Sequence, residues 1–555
     1  MATRSDTERT LRDLAESFRS ARISRRELIQ RAGLLVGGSA LASFLAAVSP
    51  PEAAAAREAF AGQAPPPKGQ PKKGGSLKVA IFGEAPSLDP MFTTATITRN
   101  LSSHMFEGLF GTDLQFRPKL DLAETYEMSK DGKTATFMLR KGITFHNGKE
   151  MTSADVAASL RRFATFATRG KPIGARLEDI KAKEKYVVVM TFKQPTGRLP
   201  LFLAHQEDII MPEEIANKYL KDQLKEFVGT GPFKFVERQP DRFTKFTRFE
   251  NYAVRPGEPE GWVGRKTPYL DELLVIPVPE DSVRADGVIT GEYHFGELLN
   301  PDSYDSLKSD PNVDAYIVKP YYWSAIHFNK KQGMFTDVRM RKAFKLAIDL
   351  EPGWRAAWGN PEFWRLQPAM GSPEMAWYTE VTKDEYNKKS PEQAKALLKE
   401  AGYKGEPVRW LTTKEYSYNY NFALATKPQL EAVGMKVDLQ LVDWATLIQR
   451  RAKPELFDVF VTGHDTPNHP LLQPFMSPTW PGWWDTPEKT RLYNELFAET
   501  DDRKAQALVE DMERLVMKEV PYVKIGEYFG LRGARKELKG YVNPVHFFFW
   551  NCWLG

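Results

Sequence analysis

Strand-type and helix-type segments alternate through the second half of this chain, and that alternation restricts its fold more than any other feature. The spacing of apolar residues predicts helices over 391–401 and 420–433. Runs rich in β-branched residues predict strands between and after them, over 408–411, 437–442 and 459–462. Helices interleaved with strands are typical of an α/β lobe.

The first half of the chain carries strong turn and cap signals. Residues 77–81 predict a strand, and 100–109 predict a helix. The Asp131-Gly132 turn predicts a hairpin between 125–129 and 134–140. A capping box of Thr152 and Asp155 predicts a helix that runs to Phe163. Similar patterns predict strands over 186–192, 233–236, 243–249 and 273–277, and helices over 339–350 and 504–518.

Composition excludes several classes of protein. The 555 residues contain 77 Lys and Arg against 72 Asp and Glu, a net charge of +5. So small an excess argues against a nucleic-acid partner, which requires a strongly basic face. The only cysteine is Cys552, so an internal disulfide and a multi-cysteine zinc site are both excluded.

The first residues read as an export signal. Residues 24–30, SRRELIQ, match the twin-arginine pattern, and a moderately apolar run over 32–48 precedes small residues at 53–56. We therefore predict a signal peptide over 1–56, a flexible linker over 57–75, passage through the twin-arginine translocase and a periplasmic location in a Gram-negative cell. An uncleaved membrane anchor is the alternative, although three glycines weaken the apolar run as a membrane span.

One long motif and several shorter ones point to a family. Residues 139–156, LRKGITFHNGKEMTSADV, resemble the signature of the oligopeptide, dipeptide and nickel receptors of ABC importers. Further segments resemble the same family in the same order: 228–235 (VGTGPFKF), 268–272 (PYLDE), 289–292 (ITGE), 328–329 (FN) with 335–343 (FTDVRMRKA), and 538–541 (LKGY). The resemblance extends over about residues 76–545.

This resemblance implies an α/β fold, the two-lobed periplasmic binding protein fold of type II with an extra subdomain inserted in the first lobe. Lobe I would comprise residues 76–320 with the insertion at about 105–230, lobe II residues 321–520, and residues 521–555 would return to lobe I. The implied function is the periplasmic substrate-binding component of an ABC importer. Such a receptor encloses a peptide or peptide-like solute between hinged lobes and delivers it to the membrane permease. We expect a monomer without a cofactor, a bound metal or catalytic residues.

The resemblance also implies candidate binding residues. Family members that bind peptides pair an Asp with the amino terminus of the ligand, and Asp465 is the nearest match, although His464 stands where the family has Trp. A structural Asx turn at Asp465 is the alternative. Tyr416 stands where dipeptide binders carry an Arg for the ligand carboxylate, which argues against short free dipeptides. The other candidates are mainly aromatic: Tyr418, Tyr322, Trp323, Trp480, Trp483, Trp484, Glu84 and His464.

Other classes of function are compatible with the sequence. Twin-arginine export often carries redox enzymes, and His464, Asp465 and His469 could hold a metal. Against an enzyme, the sequence shows no phosphate-binding glycine loop, His-Glu-x-x-His motif or Gly-x-Ser-x-Gly elbow. The same fold could instead bind a sugar, an opine or a nickel complex. A structural or chaperone role would require an exposed apolar surface instead of a cleft.

Overall fold

The computed structural model describes residues 70–414, 416–465 and 469–555. The predicted signal peptide and its twin-arginine motif lie outside the described residues, as does most of the predicted linker. Among the described helices, none combines the length and the apolar character needed to cross a membrane.

The strands follow the chain in this order: β1 Ser76–Ile81, β2 Phe110–Thr112, β3 Pro118–Leu120, β4 Ala123–Met128, β5 Thr134–Leu139, β6 Leu177–Glu184, β7 Val187–Phe192, β8 Phe233–Gln239, β9 Phe243–Arg248, β10 Pro259–Glu260, β11 Val263–Gly264, β12 Glu272–Pro277, β13 Phe295–Leu299, β14 Val313–Phe328, β15 Trp364–Arg365, β16 Pro407–Thr412, β17 Lys436–Leu441, β18 Val459–Asp465, β19 Tyr522–Arg535, β20 Leu538–Lys539 and β21 Trp553–Leu554.

The α-helices are α1 Thr96–Ser102, α2 Ser153–Phe166, α3 Lys171–Arg176, α4 Leu199–Leu203, α5 Glu213–Lys218, α6 Asp281–Thr290, α7 Tyr304–Ser309, α8 Val338–Ala347, α9 Leu350–Trp358, α10 Pro391–Glu400, α11 Ser417–Ala432, α12 Trp444–Arg451, α13 Pro487–Ala498 and α14 Asp502–Glu519.

One large sheet connects the two lobes. Within the described residues it has eleven strands in the order β17-β16-β18-β14-β19-β13-β1-β12-β9-β8, with β15 added on β19. The long strands β14 and β19 pair twice, once over Val313–Val318 and again over Tyr322–His327, with a shift of register between the two stretches. The backbone therefore passes between the lobes on two adjacent strands, and the irregular stretch between them is the hinge.

Lobe I carries the β13, β1, β12, β9 and β8 end of the sheet, and a second sheet of order β4-β5-β7-β6 lies within the segment predicted as an insertion. Strand β7 alternates half-buried and buried side chains, so one face of the second sheet packs inward. Helix α2 covers it and begins with the predicted capping box, in which Thr152 and Asp155 bond reciprocally.

Lobe II carries the β17, β16 and β18 end of the sheet, and β16 pairs with both β17 and β18 in parallel. Parallel neighbours need crossover connections, and helices α11 and α12 supply them. Its core includes the fully buried Trp354 and Trp410. The predicted α/β alternation is thus confirmed in this lobe.

Two predicted helices have different bounds in the structure. The helix predicted over 100–109 spans only Thr96–Ser102, because the carbonyls of His104 and Met105 accept backbone bonds from Phe233 (3.0 Å) and Gly231 (2.9 Å). The helix predicted over 339–350 ends at Ala347. A new helix begins at Leu350, where the Asp349 side chain accepts a bond from the Glu351 N–H.

The lobes touch along the side that carries α13. The rings of Phe202 in lobe I and Phe497 in lobe II stack with centroids 4.7 Å apart. Arg176 donates to Asn494 Oδ1 at 2.6 Å, and Arg198 donates to Asp502 Oδ1 at 2.6 Å. These contacts join the two lobes directly on this side.

Candidate functional site

A cavity of about 740 Å³ lies between the lobes, next to the hinge. That volume suits an enclosed small molecule, since ligand pockets usually measure about 300–1,000 Å³. Lobe I contributes Phe82, Thr96, Pro279, Glu280, Asp281, Arg284 and residues 298–302, and lobe II contributes residues 355–359, Tyr416, Tyr418, Asn419, Trp444, Thr462 and Gly463. The hinge strands add Tyr321, Tyr322 and Tyr528.

Aromatic rings form much of the wall. Tyr322 and Tyr528 stack with ring centroids 5.8 Å apart, and the hydroxyl groups of Tyr418 and Tyr528 lie 2.8 Å apart. Gly463 lies beside them without a side chain, and a Cβ there would stand 3.2 Å from Tyr528 Oη. The missing side chain leaves room for a ligand to approach the tyrosines.

Charged side chains are distributed unevenly around the cavity. Glu280, Asp281 and Asp302 come from lobe I. Arg284 is buried, and its guanidinium donates to four backbone carbonyls, which leaves it a structural role. Arg355 of lobe II lines the cavity too, and it pairs with Glu351 at 2.7 Å.

Asp465 lies at the end of β18, opposite Tyr322 in the β14–β18 ladder. Its Oδ2 accepts from Arg99 Nη2, and its Oδ1 accepts from Thr96 Oγ1 at 3.3 Å. Thr96 also contacts the Tyr322 hydroxyl. Since Thr96 and Arg99 belong to lobe I, the Asp465 carboxylate is bonded across the gap between the lobes.

A second buried pair lies next to this one. Arg169 pairs with Glu207 through its Nη1, and its Nη2 is 3.8 Å from Asp465 Oδ2. Burial on its own would raise the pKa of Asp465, but the guanidinium groups of Arg99 and Arg169 hold it well below its ordinary value. Asp465 is therefore a carboxylate in the neutral pH range.

Comparison with known proteins places this architecture. Residues 117–486 match the model of the bacterial extracellular solute-binding proteins, family 5. The chain belongs to this family. As a member, it is the substrate-binding component of an ABC importer, and family 5 proteins act outside the cytoplasmic membrane.

Three similar proteins illustrate the match. A protein of Sinorhizobium fredii, named "Probable peptide ABC transporter periplasmic-binding protein y4tO", is 31% identical over 490 residues, 83% of this chain and 90% of its own length. The glutathione-binding protein GsiB of Escherichia coli K12 is 29% identical over 66% of this chain and 69% of its own length. The oligopeptide-binding protein AppA of Bacillus subtilis, solved with a nonapeptide, superimposes with a TM-score of 0.74 at 22% identity. That superposition covers 88% of this chain and all of AppA.

Three predicted binding residues line the cavity of this solute-binding protein. Tyr322, Tyr416 and Tyr418 are all part of its wall. Asp465 lies just behind this wall. Its carboxylate accepts from Thr96 Oγ1, and Thr96 also contacts the Tyr322 hydroxyl. That Asp465 anchors a ligand amine stays a prediction, and in this structure Arg99 holds the place of such an amine.

The predicted tryptophan contacts need correction. Trp323 follows Tyr322 on β14, so its side chain points to the opposite face of the sheet, where it is fully buried in the lobe II core. Trp484 belongs to the same core and donates to Glu519. Trp480 packs against His327, and Trp483 stacks on Phe457. None of these four lines the cavity.

His464 and Glu84 are corrected as well. The His464 Nε2 is 2.7 Å from His327 Nε2 in the lobe II core, and burial lowers the pKa of His464 to about 3. Glu84 accepts from Arg238 Nε at 2.6 Å and is not part of the cavity wall. The alternative of a metal site formed by His464 and His469 with Asp465 is not supported by the geometry. His464 contacts His327, and His469 caps a turn by accepting from the Leu471 N–H. Over the described parts of the chain, no cluster of His, Cys, Asp and Glu has metal-binding geometry.

Sequence reasoning missed several cavity residues: Phe82, Trp358, Trp444 and Tyr528. Phe82 directly follows the predicted strand over 77–81, so the position after the strand end was a usable signal. Tyr528 gave no such signal, because every residue of β19 before Arg535 is buried and its sequence shows no alternation. Arg99 was missed because full burial of a guanidinium depends on partners distant in sequence.

Proposed function

We propose that this receptor captures a peptide or peptide-like solute in the periplasm of a Gram-negative cell and passes it to its permease unchanged. The observation that carries the proposal is the aromatic cavity at the hinge, with wall residues from both lobes. The names of the two relatives, a peptide receptor and a glutathione receptor, support the same class of solute.

The cavity can hold such a solute in two ways. Tyrosine and tryptophan rings offer flat apolar faces with little rotational freedom to lose. Thr96, Asn419 and Thr462 add short polar groups that can bond peptide amides. Both kinds of contact tolerate different ligand side chains, as a peptide receptor requires.

Ligand binding stabilises the closed arrangement of the lobes, because the wall residues of both lobes can contact one solute only when they are close together. The closed receptor is then the form that docks on the permease. We further propose that it acts as a monomer, is exported by the twin-arginine translocase, and has no enzymatic activity.

Two measurements test the peptide proposal. Mass spectrometry of solutes released from the purified receptor should identify a peptide or an amide-rich relative of one. Titration calorimetry with a mixture of tri- to pentapeptides should then show saturable binding, with no new products in the mixture afterwards. Release of a carbohydrate or a metal complex, with no heat from peptides, would contradict the proposal.

A non-peptide solute is the second candidate, and the wall itself is the reason to keep it. The seven Tyr and Trp rings that line the cavity could stack equally well on a sugar or on another planar group. The released solute decides between the two.

A further inference from the structure

The Asp465 carboxylate already has a cation of its own in this receptor. Arg99 is completely buried, and its Nη2 bonds Asp465 Oδ2 across the lobes. The same guanidinium is fixed by Thr94 O, to which Nη1 donates at 2.8 Å, and by Thr96 Oγ1 at 3.0 Å. A buried cation held by three partners is not easily displaced.

Among the residues that the structure describes, the formal charges of the two buried ion pairs balance without a ligand. Arg99 and Arg169 supply two positive charges, and Asp465 and Glu207 supply two negative charges. All four side chains are at least nine-tenths buried. A solute ammonium brought to Asp465 would add a third cation to this buried group, which is unfavourable where the dielectric constant is low.

The path from the cavity to Asp465 is also occupied. Thr96 and Tyr322 line the cavity and contact each other, and Thr96 donates to Asp465 as well. These two side chains stand between the cavity and the carboxylate. An ammonium group could reach Asp465 only after the contact between Thr96 and Tyr322 had opened.

We propose that Arg99 is a specificity-determining residue that replaces a solute ammonium at Asp465. The inference rests on the proposed peptide function and narrows it. The cleft selects peptide-like solutes whose end nearest Asp465 carries no free amine, such as amino-blocked or cyclised peptides.

Matched pairs of peptides test this inference. Tri- to pentapeptides are prepared with free and with N-acetylated amino termini, and the affinity of each pair is measured by calorimetry. In the natural receptor, acetylation should strengthen binding by about threefold or more, since the free ammonium would add a third cation to the buried group, and equal affinities within a pair would contradict the inference. If Asp465 bound the ammonium, loss of that buried charge pair should weaken binding by about thirtyfold or more, which would overturn the inference.

Variants of Arg99 sharpen the test. Arg99→Met removes the internal cation, so the receptor should then favour free amines by about tenfold or more. Arg99→Lys keeps a cation and should restore the natural ratio. Arg491→Met is the matched control, because Arg491 is exposed on α13 and forms its ion pairs with Glu488 and Glu495 of the same helix. Thermal unfolding of each variant shows whether it has folded.

Failure of the peptide function would look different. If neither peptide set binds, the peptide proposal fails, and a double-mutant cycle of Arg99→Met and Asp465→Asn then decides the role of Arg99. Unfolding effects that are coupled between the two sites support Arg99 as the partner of Asp465. Additive effects would overturn the inference without any ligand.

Discussion

At the scale of single residues, exposure separates the side chains that meet a solute from those that hold the fold. Tyr416 lines the cavity, is 37% exposed and packs edge-on against Trp444. Asp208 is the opposite case, an acidic side chain in lobe I that is 2% exposed. A change at the first residue should alter binding, and a change at the second should alter stability.

Replacing Tyr416 with Ala should weaken solute binding by about 0.5–1.5 kcal/mol, since one aromatic face is lost from the wall. The midpoint of thermal unfolding should change little because the ring is partly exposed. Calorimetry with the released solute measures the affinity. Tyr420→Ala is the matched control, because Tyr420 lies in the first turn of helix α11, which begins directly after Tyr416, but does not line the cavity. Equal losses in both variants would count against the assigned wall.

Replacing Asp208 with Asn should change how stability depends on pH. Both carboxylate oxygens are buried without a well-formed hydrogen bond, and burial raises the pKa of Asp208 to about 8. The folded state therefore keeps a proton that the unfolded state loses near pH 4, so this group lowers stability as pH rises from about 4 to 8.

Between pH 5 and 8 the Asn variant should lose less stability than the natural protein, by about 3 kcal/mol. Urea unfolding at both pH values measures the difference. Asp305→Asn, an exposed position on α7, provides the control. Parallel pH curves for the natural and the Asp208→Asn proteins would show that this carboxyl is ionised when buried.

At the scale of elements, the alternation of side chains along β14 separates Tyr322 from Trp323, while Tyr321 lies in the irregular stretch before them. Tyr322 and Trp323 are neighbours on β14, and only Tyr322 faces the cavity. From the sequence alone the two were equal candidates, because a long central strand is buried on both faces and shows no polar side. The pairing of β14 with β18 and β19 settles which face is which.

Replacing Trp323 with Ala should therefore destabilise lobe II by about 3–5 kcal/mol and leave the affinity of the folded receptor nearly unchanged. The cause is the cavity that the change would open beside Phe475 and Tyr522, which contact the indole ring. Denaturant unfolding and calorimetry on the same sample measure both quantities. A large loss of affinity with intact stability would contradict the core assignment of Trp323.

The sequence predicts those elements that depend on neighbouring residues and misses those that depend on distant contacts. The Asp131-Gly132 hairpin and the Thr152–Asp155 capped helix were predictable because each depends on residues within a few positions. The helix before His104 was mispredicted because backbone groups of residues 231 and 233, far along the chain, bond the His104 and Met105 carbonyls. The Arg99–Asp465 pair joins residues 366 positions apart, a contact that no local pattern encodes. The lobe boundaries at 320 and 520 stay a prediction.

At the scale of the whole molecule, the two lobes touch on the α13 side and enclose the cavity at the hinge. Close backbone approach is needed there, because a Cβ on Gly197 would stand 2.4 Å from Ala498 O and 2.7 Å from Glu499 O. The contact between the lobes thus depends on a residue that is remote from the cavity.

Replacing Gly197 with Ala should push the lobes apart and weaken solute binding by about 1–3 kcal/mol, the usual cost of overpacking. Small-angle X-ray scattering should show a larger radius of gyration before solute is added. Gly83→Ala is the control, because a Cβ at that position meets no atom within 4 Å. An unchanged radius and affinity would mean that this contact does not hold the lobes together.

The hinge tyrosines link the size of the solute to the closure of the lobes. Tyr321, Tyr322 and Tyr528 are part of the strands on which the lobes turn, and the same rings form the back of the cavity. A bulkier solute would press against these hinge residues and stop lobe closure at a wider angle. Receptors that carry solutes of different size would then present different degrees of lobe closure to the permease. Selection among solutes can therefore continue at the membrane after capture.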